Sequence, residues 1–234
     1  MPAPLSVVIP TLNAGAGLAR TLTSLGDANA GGLLREVLVS DGGSRDATLA
    51  VADEAGCRVV TGEAGRGGQL ARGAEAARGA WLLFLHADTA LEPWWARDAS
   101  ALMARGGAGV FRHAFREEGA RREGVWPRAV SLGANLRTRM LRLPYGDQGL
   151  LISKAHYARV GGYEPVPLFE DVGLVRRIVA EGGRGALTVM RSRAVTSPAR
   201  YDRDGYARRV WRNQVLVAAY LRGVAPAELA RRYG

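Results

Sequence analysis

Lysine is almost absent from this chain of 234 residues: of its 32 basic side chains, only Lys154 is not an arginine. Cysteine is equally scarce. Cys57 stands alone, so no internal disulfide can form, and a reducing, cytoplasmic setting is the expectation. No apolar run reaches the roughly 18 residues of a membrane span; the densest stretch, Ala80-Trp-Leu-Leu-Phe-Leu85, has the length of a strand. Strand-like sequence begins at Leu5, with no basic and apolar leader before it, so no secretory signal is expected. No Gly-x-Gly-x-x-Gly follows the first strand and no Gly-x-x-x-x-Gly-Lys-Ser/Thr occurs anywhere, which argues against hydride transfer on a dinucleotide and against a P-loop nucleotidase. The histidines are three, and neither His113 nor His156 has partners at zinc-ligand spacing; both read as structural.

What is present is a folded chain. Hydrophobic residues make up 47% of it at a mean hydropathy of -0.06, far from the composition of disorder. The formal net charge is +10 and the pI about 10.7, values that point first toward nucleic acid. The charge is unevenly placed, however. Residues 1–100 hold 8 basic and 11 acidic side chains, net -3, whereas 101–234 hold 24 and 11, net +13. An arginine excess in an Ala- and Gly-rich chain also follows from composition alone, and no nucleic-acid partner is expected.

Apolar runs alternate with amphipathic segments through the first hundred residues. Strands are predicted over 5–10, 36–40, 58–61 and 81–85, with helices over 18–25, 47–55 (Ser44 as its N-cap) and 69–77, and another opened by Pro93 with Trp94 and Trp95 as apolar contacts. Strands that are apolar throughout and separated by helix-length segments indicate a parallel sheet covered on both faces. Beyond Gly106 the rhythm loosens: strands over 109–115, 149–153 and 186–190, helices over 125–143, 154–160, 171–181 and 206–221, and a tail from Pro226. No repeat or low-complexity linker interrupts the chain, and a single domain over 1–234 is expected.

In an open parallel sheet, ligands bind beyond the carboxyl ends of the strands. Those ends read Pro10-Thr-Leu-Asn13, Ser40-Asp-Gly-Gly-Ser44, the glycine-rich 61–68, and His86-Ala-Asp-Thr89. Pro10 and Asn13 favour an Asx-type bend. Asp41 and Asp88 each follow a buried strand directly. Asp41 is suited to accept from a base N–H or a ribose hydroxyl, or to start the Gly42-Gly43 turn. Asp88 is suited to hold Mg²⁺ or Mn²⁺ together with substrate phosphates, or to cap the helix region at Pro93. Asp171 opens a helix, where a carboxylate is also favoured by the helix dipole.

These segments resemble family 2 glycosyltransferases of the GT-A fold. Ser6-Val-Val-Ile-Pro-Thr-Leu-Asn13 is similar to their opening strand and Val39-Ser-Asp-Gly-Gly-Ser-Arg-Asp46 to their nucleotide-binding turn. Phe84-Leu-His-Ala-Asp-Thr89 is similar to their metal-binding Asp-x-Asp, and Phe169-Glu-Asp-Val-Gly-Leu174 to their catalytic Glu-Asp segment. Tyr145-Gly-Asp-Gln-Gly149 and Ser197-Pro-Ala-Arg-Tyr201 resemble a small bacterial subgroup labelled as arsenosugar-biosynthesis or radical-SAM/selenodomain-associated glycosyltransferases. The resemblance implies an α/β fold with a Rossmann-like, mostly parallel sheet flanked by helices. Residues 1–105 would form its nucleotide-binding half and 106–234 its acceptor-binding half with C-terminal helices. It implies that Pro10, Thr11, Asn13, Asp41 and Gly42 hold the nucleoside of a nucleotide-diphosphate sugar, with a uridine diphosphate sugar as the expected donor. Arg66 would lie toward base or phosphate, Asp88 would ligate Mn²⁺ or Mg²⁺, and Asp171 would be the general base of an inverting transfer. Asp147, Gln148, Glu170 and Arg200 become candidates for the sugar or the acceptor, with Arg203 beside Arg200 over the diphosphate.

The chain also departs from the pattern. His86 replaces the first aspartate of Asp-x-Asp, leaving one strong metal ligand, and Ala71 stands where the subgroup often has asparagine. The Gln-x-x-Arg-Trp of processive members is missing, which implies transfer of a single sugar. The acceptor is expected to be anionic or lipid-linked, with peripheral contact at the inner membrane face. Two other readings stand beside this one. A sugar-phosphate nucleotidyltransferase would need a Gly-rich, Arg- and Lys-bearing loop after Ile9, which is missing. A non-catalytic nucleic-acid or membrane-surface binder would use the basic half and the helix from Val210 to Tyr220.

Overall fold

A computed structural model of the chain describes residues 3–26, 28, 31–116 and 125–233. The first strand, β1 (Leu5–Thr11), shows why the sheet forms as it does. Leu5, Val7 and Ile9 belong to one apolar cluster and Val8 to another, and all four are fully buried. Side chains alternate across a strand, so only a sheet covered on both faces buries them all. Helices α1 (Gly15–Thr23), α2 (Thr48–Glu54) and α4 (Trp95–Arg105) cover one face through Leu18, Ala52, Trp95 and Leu102. Helices α3 (Arg66–Ala76) and α7 (Glu170–Gly182) cover the other through Leu70, Leu174 and Ile178.

Strands β2 (Leu34–Asp41) and β4 (Trp81–Phe84) flank β1 in parallel, and β3 (Arg58–Thr61) pairs in parallel with β2. With β5 (Thr89–Leu91), β6 (Ala108–Phe115), β7 (Leu150–Ser153) and β8 (Leu187–Thr196), the order across one eight-stranded sheet is β3-β2-β1-β4-β7-β6-β8-β5. β7 runs antiparallel between β4 and β6, and β5 antiparallel on β8 at the far edge. The chain therefore leaves β4 at the centre and crosses three strands to pair Thr89 with Thr196. His86, Ala87 and Asp88 lie in that crossing, laid over the sheet's carboxyl edge. Helix α5 (Val125–Leu141) packs on β6, and α6 (Lys154–Arg159) follows β7. Beyond β8, α8 (Ala199–Asp204), α9 (Tyr206–Leu221) and α10 (Pro226–Tyr233) roof the same edge, where Leu216, Val217 and Leu229 meet Phe169 and Val172.

The expected alternation of strands and helices is present, with local differences. Ser44 caps no helix: its hydroxyl donates to Asp41, and α2 instead begins beyond Asp46, which accepts from the Thr48 N–H at 3.0 Å. β8 extends six residues past Met190, because exposed Arg191 and Arg193 alternate with buried Ser192 and Ala194. Trp94 sits at φ 76° and points outward, while Trp95 is fully buried. β5 and α8 were not anticipated. Residues 117–124, inside the region expected to meet the acceptor, lie outside the described residues.

Helix α3 rests on β1 across Gly73, where a Cβ would stand 2.3 Å from Cγ1 of Val8. Valine is stiff at χ1 and cannot easily turn away. Gly73→Ala is therefore expected to destabilise the fold by about 1–3 kcal/mol through overpacking, although alanine favours helix over glycine by about 1 kcal/mol. The denaturant midpoint measures the sign, and a raised midpoint would refute the contact.

Candidate active site

The ends of β1 and β2 are locked together by Asp41. Its carboxylate accepts from the Thr11 hydroxyl at 2.8 Å, the Ser44 hydroxyl at 2.5 Å, and the N–H groups of Gly43 and Ser44 at 2.8 Å each. Burial alone would raise its pKa, but the Ser44, Thr11 and Gly43 donors outweigh that and hold it below the usual carboxylate range. Four donors fill the accepting capacity of a carboxylate, so Asp41 acts here as the organiser of the turn. Asn13 adopts φ 51°, a conformation asparagine tolerates; its N–H donates to Ser44 and its side-chain oxygen accepts from the Arg45 N–H. The Gly42 N–H donates to the Thr11 carbonyl, and a Cβ on Gly42 would come within 3.0 Å of Ala64. Pro10 lies opposite Ser40 in the ladder.

Gln69 was not anticipated, yet it joins three of these segments. Its amide N–H₂ donates to the carbonyls of Thr11 at 2.7 Å and Ser40 at 2.9 Å, while its oxygen accepts from the Gly65 N–H. A polar amide after the run Gly65-Arg-Gly-Gly68 was the available signal. The glycines have their own function: a Cβ on Gly67 would stand 2.2 Å from the Glu164 carbonyl, so segment 164–166 can close onto α3 only here.

Arg66, His86, Asp88, Asp147, Asp171 and Arg200 project into an open cleft of about 830 Å³, which none of Pro10, Thr11, Asn13, Asp41 and Gly42 lines. Arg66 comes from the first turn of α3, Asp88 from the crossing after β4, Asp171 from the first turn of α7 and Arg200 from α8. Asp88 is exposed and the N-terminus of α4, at Trp94, has no side-chain cap, so the helix-cap alternative falls away. Asp171 is buried. One of its oxygens accepts from the Val172 N–H at 2.7 Å and the other from the Gly146 N–H. Burial first, and then the neighbouring Glu170 charge, push its pKa up to about 6, partly opposed by Arg66. Gly146 is needed for this approach, because a Cβ there would meet His86 Nε2 at 2.6 Å and Asp171 at 3.3 Å. Burial, and then Arg66, lower the His86 pKa, so its imidazole is neutral near pH 7.

Several candidates take other places. Gln148 is fully buried, accepts from the Thr138 hydroxyl at 2.7 Å and donates to the Phe111 carbonyl at 2.9 Å. It is a core tie between α5 and β6 and does not face a sugar. Glu170 sits behind the cleft wall, paired with the guanidinium of Arg66, so it positions that arginine and does not line the cleft. Arg203 points outward and pairs with Asp204. Arg209, by contrast, lines the cleft: it is buried, paired with Asp204, and lies 5.4 Å from the Tyr201 ring centroid. His113 is buried as expected, but its Nε2 lies 3.5 Å from Asp147 at the edge of the cleft. His156 pairs with Glu181. The thiol of Cys57 is pushed up to about 11 by burial, so it is no nucleophile.

The donors fit a divalent cation held in the manner of Mg²⁺, which takes one or two carboxylates and leaves its remaining positions to phosphates and water. Asp88 could supply the carboxylate, with neutral His86 two residues away. Among the described residues no group of three or more His, Cys, Asp or Glu forms a self-sufficient metal cage.

No curated protein sequence matches the chain. Among solved structures it is similar to glucosyl-3-phosphoglycerate synthase from Mycobacterium tuberculosis. The complex with Mn²⁺, uridine diphosphate and glucosyl-3-phosphoglycerate matches at 21% identity and a TM-score of 0.58, covering 80% of this chain and 71% of that one. The complex with Mn²⁺, UDP-glucose and phosphoglyceric acid matches at 22% and 0.59, covering 80% and 68%. The complex with Mg²⁺ and uridine diphosphate matches at 21% and 0.57, covering 80% and 70%. The likeness is one of fold, the GT-A α/β architecture. The profile of Glycosyl transferase family 2 matches residues 6–159, from β1 through α6. The strand-end loops and the crossing with Asp88 all fall inside that match, and the chain belongs to glycosyl transferase family 2.

Proposed function

We propose that the protein transfers a single sugar, with inversion, from a uridine diphosphate sugar to an acceptor hydroxyl. The observation that carries this reading is the meeting of Asp171, Asp88 and Arg66 in one cleft. Asp171, with its pKa near 6, is ionised at neutral pH and is the general base for the acceptor proton; such groups contribute about 100- to 10,000-fold. The ledge of Pro10, Thr11, Asn13, Asp41 and Gly42 forms the nucleoside side of the donor site. Arg66, held by Glu170, faces the diphosphate, and Arg200 closes over it from α8. Asp88 would hold Mn²⁺ or Mg²⁺, which when bound neutralises charge developing on the departing diphosphate. The relatives crystallised with these ions and uridine diphosphate support that choice.

The subgroup suggested by Tyr145-Gly-Asp-Gln-Gly149 and Ser197-Pro-Ala-Arg-Tyr201 is retained on those segments, several of whose residues line the cleft. The single-domain organisation rests on the sheet that runs through both halves. Several arginines of the basic half are paired with carboxylates of the same chain, such as Arg159 with Glu181, Arg177 with Glu164 and Arg193 with Glu92, which weighs against a nucleic-acid surface. An acceptor carried at an anionic membrane face is favoured by the exposed Leu132, Leu136, Met140 and Trp211 among the arginines of α5 and α9. No helix among the described residues is long and apolar enough to cross a bilayer.

Removing the carboxylate in Asp88→Ala is expected to weaken Mn²⁺-dependent binding of uridine diphosphate at least about tenfold by titration calorimetry, through loss of a charge-assisted metal contact. Binding unchanged by that substitution would place the metal elsewhere. Asp171→Asn is expected to bind uridine diphosphate normally yet hydrolyse the donor sugar about 100- to 10,000-fold more slowly. In the wild type, that hydrolysis should rise with pH through about 6 and level off above it, because the base works only when ionised. A rate independent of pH between 5 and 7 would remove Asp171 from this role; Glu170, Arg66, His86, Tyr145 and Tyr163 are the other titratable groups around it.

A further inference from the structure

The cleft does not end at Asp147. Tyr145, Asp147, Tyr201 and Asn213 also line a second space, an open groove of about 1,230 Å³ between α5 and α9. Away from this shared neck the groove is mostly apolar, walled by Trp126, Val130 and Gly133 from α5 and by Val210 and Trp211 from α9, with the amide of Gln214 beside them. Between Arg137 and Trp126 it follows eleven residues of helix, about 16 Å at 1.5 Å per residue. A passage this long and apolar offers nothing to a small anion.

The neck itself is polar and unsatisfied. Nη2 of Arg137, the hydroxyl of Tyr145 and Oδ1 of Asp147 are each buried with no hydrogen-bond partner. Buried polar atoms are nearly always paired, and leaving one unmade costs about 1–3 kcal/mol. Arg137 is fixed in place, its Nε donating to the Leu143 carbonyl at 2.8 Å and its guanidinium 3.6 Å from the Tyr145 ring centroid. Burial keeps the Tyr145 phenol protonated, so it can donate. Two donors and one acceptor match a hydroxyl-bearing head. The intervening Gly146 N–H is the group that binds Asp171, so the neck adjoins the base.

We propose that neck and groove together form the acceptor site, and that the acceptor is an amphiphile: a head with two or more hydroxyl groups in the cleft and neck, and an aliphatic chain lying between α5 and α9. This inference rests on the transferase reading above. One head hydroxyl attacks the anomeric carbon of the sugar. The new carbon–oxygen bond forms as the bond to the diphosphate breaks, the electron pair leaves with the nucleoside diphosphate, and the hydroxyl proton passes to Asp171. The second hydroxyl stays at Arg137, Tyr145 and Asp147. The exposed Leu132, Leu136 and Met140 on α5, and Val215 on α9, extend the apolar surface beyond the groove, which suits an acceptor drawn from a bilayer.

The probes are n-alkyl glucosides from butyl to octyl, titrated below micelle formation and followed by the fluorescence of the groove tryptophans. Each added methylene is expected to tighten binding about fourfold, the value of one buried CH₂. Gly133→Leu should abolish that gradation by filling the groove; a Cβ at Gly133 meets nothing within 4 Å, and leucine favours helix. Binding of uridine diphosphate with Mn²⁺ should be unchanged in the variant. Affinity independent of chain length, or a gradation that survives Gly133→Leu, overturns the proposal. So does a dimer that octyl glucoside dissociates and Gly133→Leu abolishes, since the groove would then hold a second copy of the chain. A flat series with uridine diphosphate still bound overturns the groove and leaves the transferase; a graded series without uridine diphosphate binding supports an amphiphile groove and overturns the transferase.

Discussion

The ion pair between Arg66 and Glu170 ties the two halves of the molecule together at the point where chemistry is expected. Arg66 opens α3 in the parallel half and Glu170 opens α7 in the half after β6. Glu170 and Asp171 are adjacent and both buried. Two carboxylates so placed cannot both stay ionised without a cation, and leaving one buried charge unpaired costs about 3–5 kcal/mol. Arg66 supplies that cation. The same arrangement leaves Asp171 with a raised pKa, basic enough to take a proton and acidic enough to be ionised at pH 7.

Sheet topology gives the pair its surroundings. Because β5 joins the far edge at β8, the chain from His86 to Asp88 is stretched over the carboxyl ends of the central strands. The small residue at 146 lets the turn before β7 reach His86 and Asp171 at once. Helices α8 and α9 close the remaining side with Arg200 and Arg209, so the cleft combines carboxylates from the crossing after β4, the turn before β7 and the start of α7 with arginines from the C-terminal helices. The arginines of the second half are therefore divided between ion pairs within the chain, the cleft wall and a helical face that is apolar and arginine-flanked.

How much was legible in the sequence follows from burial. β1, β2 and β4 are covered on both faces, so their apolar runs stood out, and the aspartates that end β2 and follow β4 marked the sheet's edge. β8 was read short because half of it faces solvent and carries arginines there. β5 has three residues, too few for a periodic signal. Gln148 and Asp147 are neighbours in sequence, yet one is tied into the core and the other faces the cleft; a one-residue step in a 3-10 turn reverses direction, and no motif encodes which side is which. Gln69 was missed because its task, bonding two strand-end carbonyls, depends on where those carbonyls arrive.

The sequence by itself determined most of the order of strands and helices, short β5 and α8 excepted, and the α/β class and the family, because these depend on local apolar periodicity and on short contiguous motifs. Tertiary structure alone decided that Arg66 meets Glu170 across 104 positions, that Asp41 spends its carboxylate on its own turn, and that the cleft continues into an apolar groove between α5 and α9. Those outcomes depend on which surfaces become neighbours when two halves of a sheet close, and pairwise distances between remote residues leave no trace in spacing along the chain.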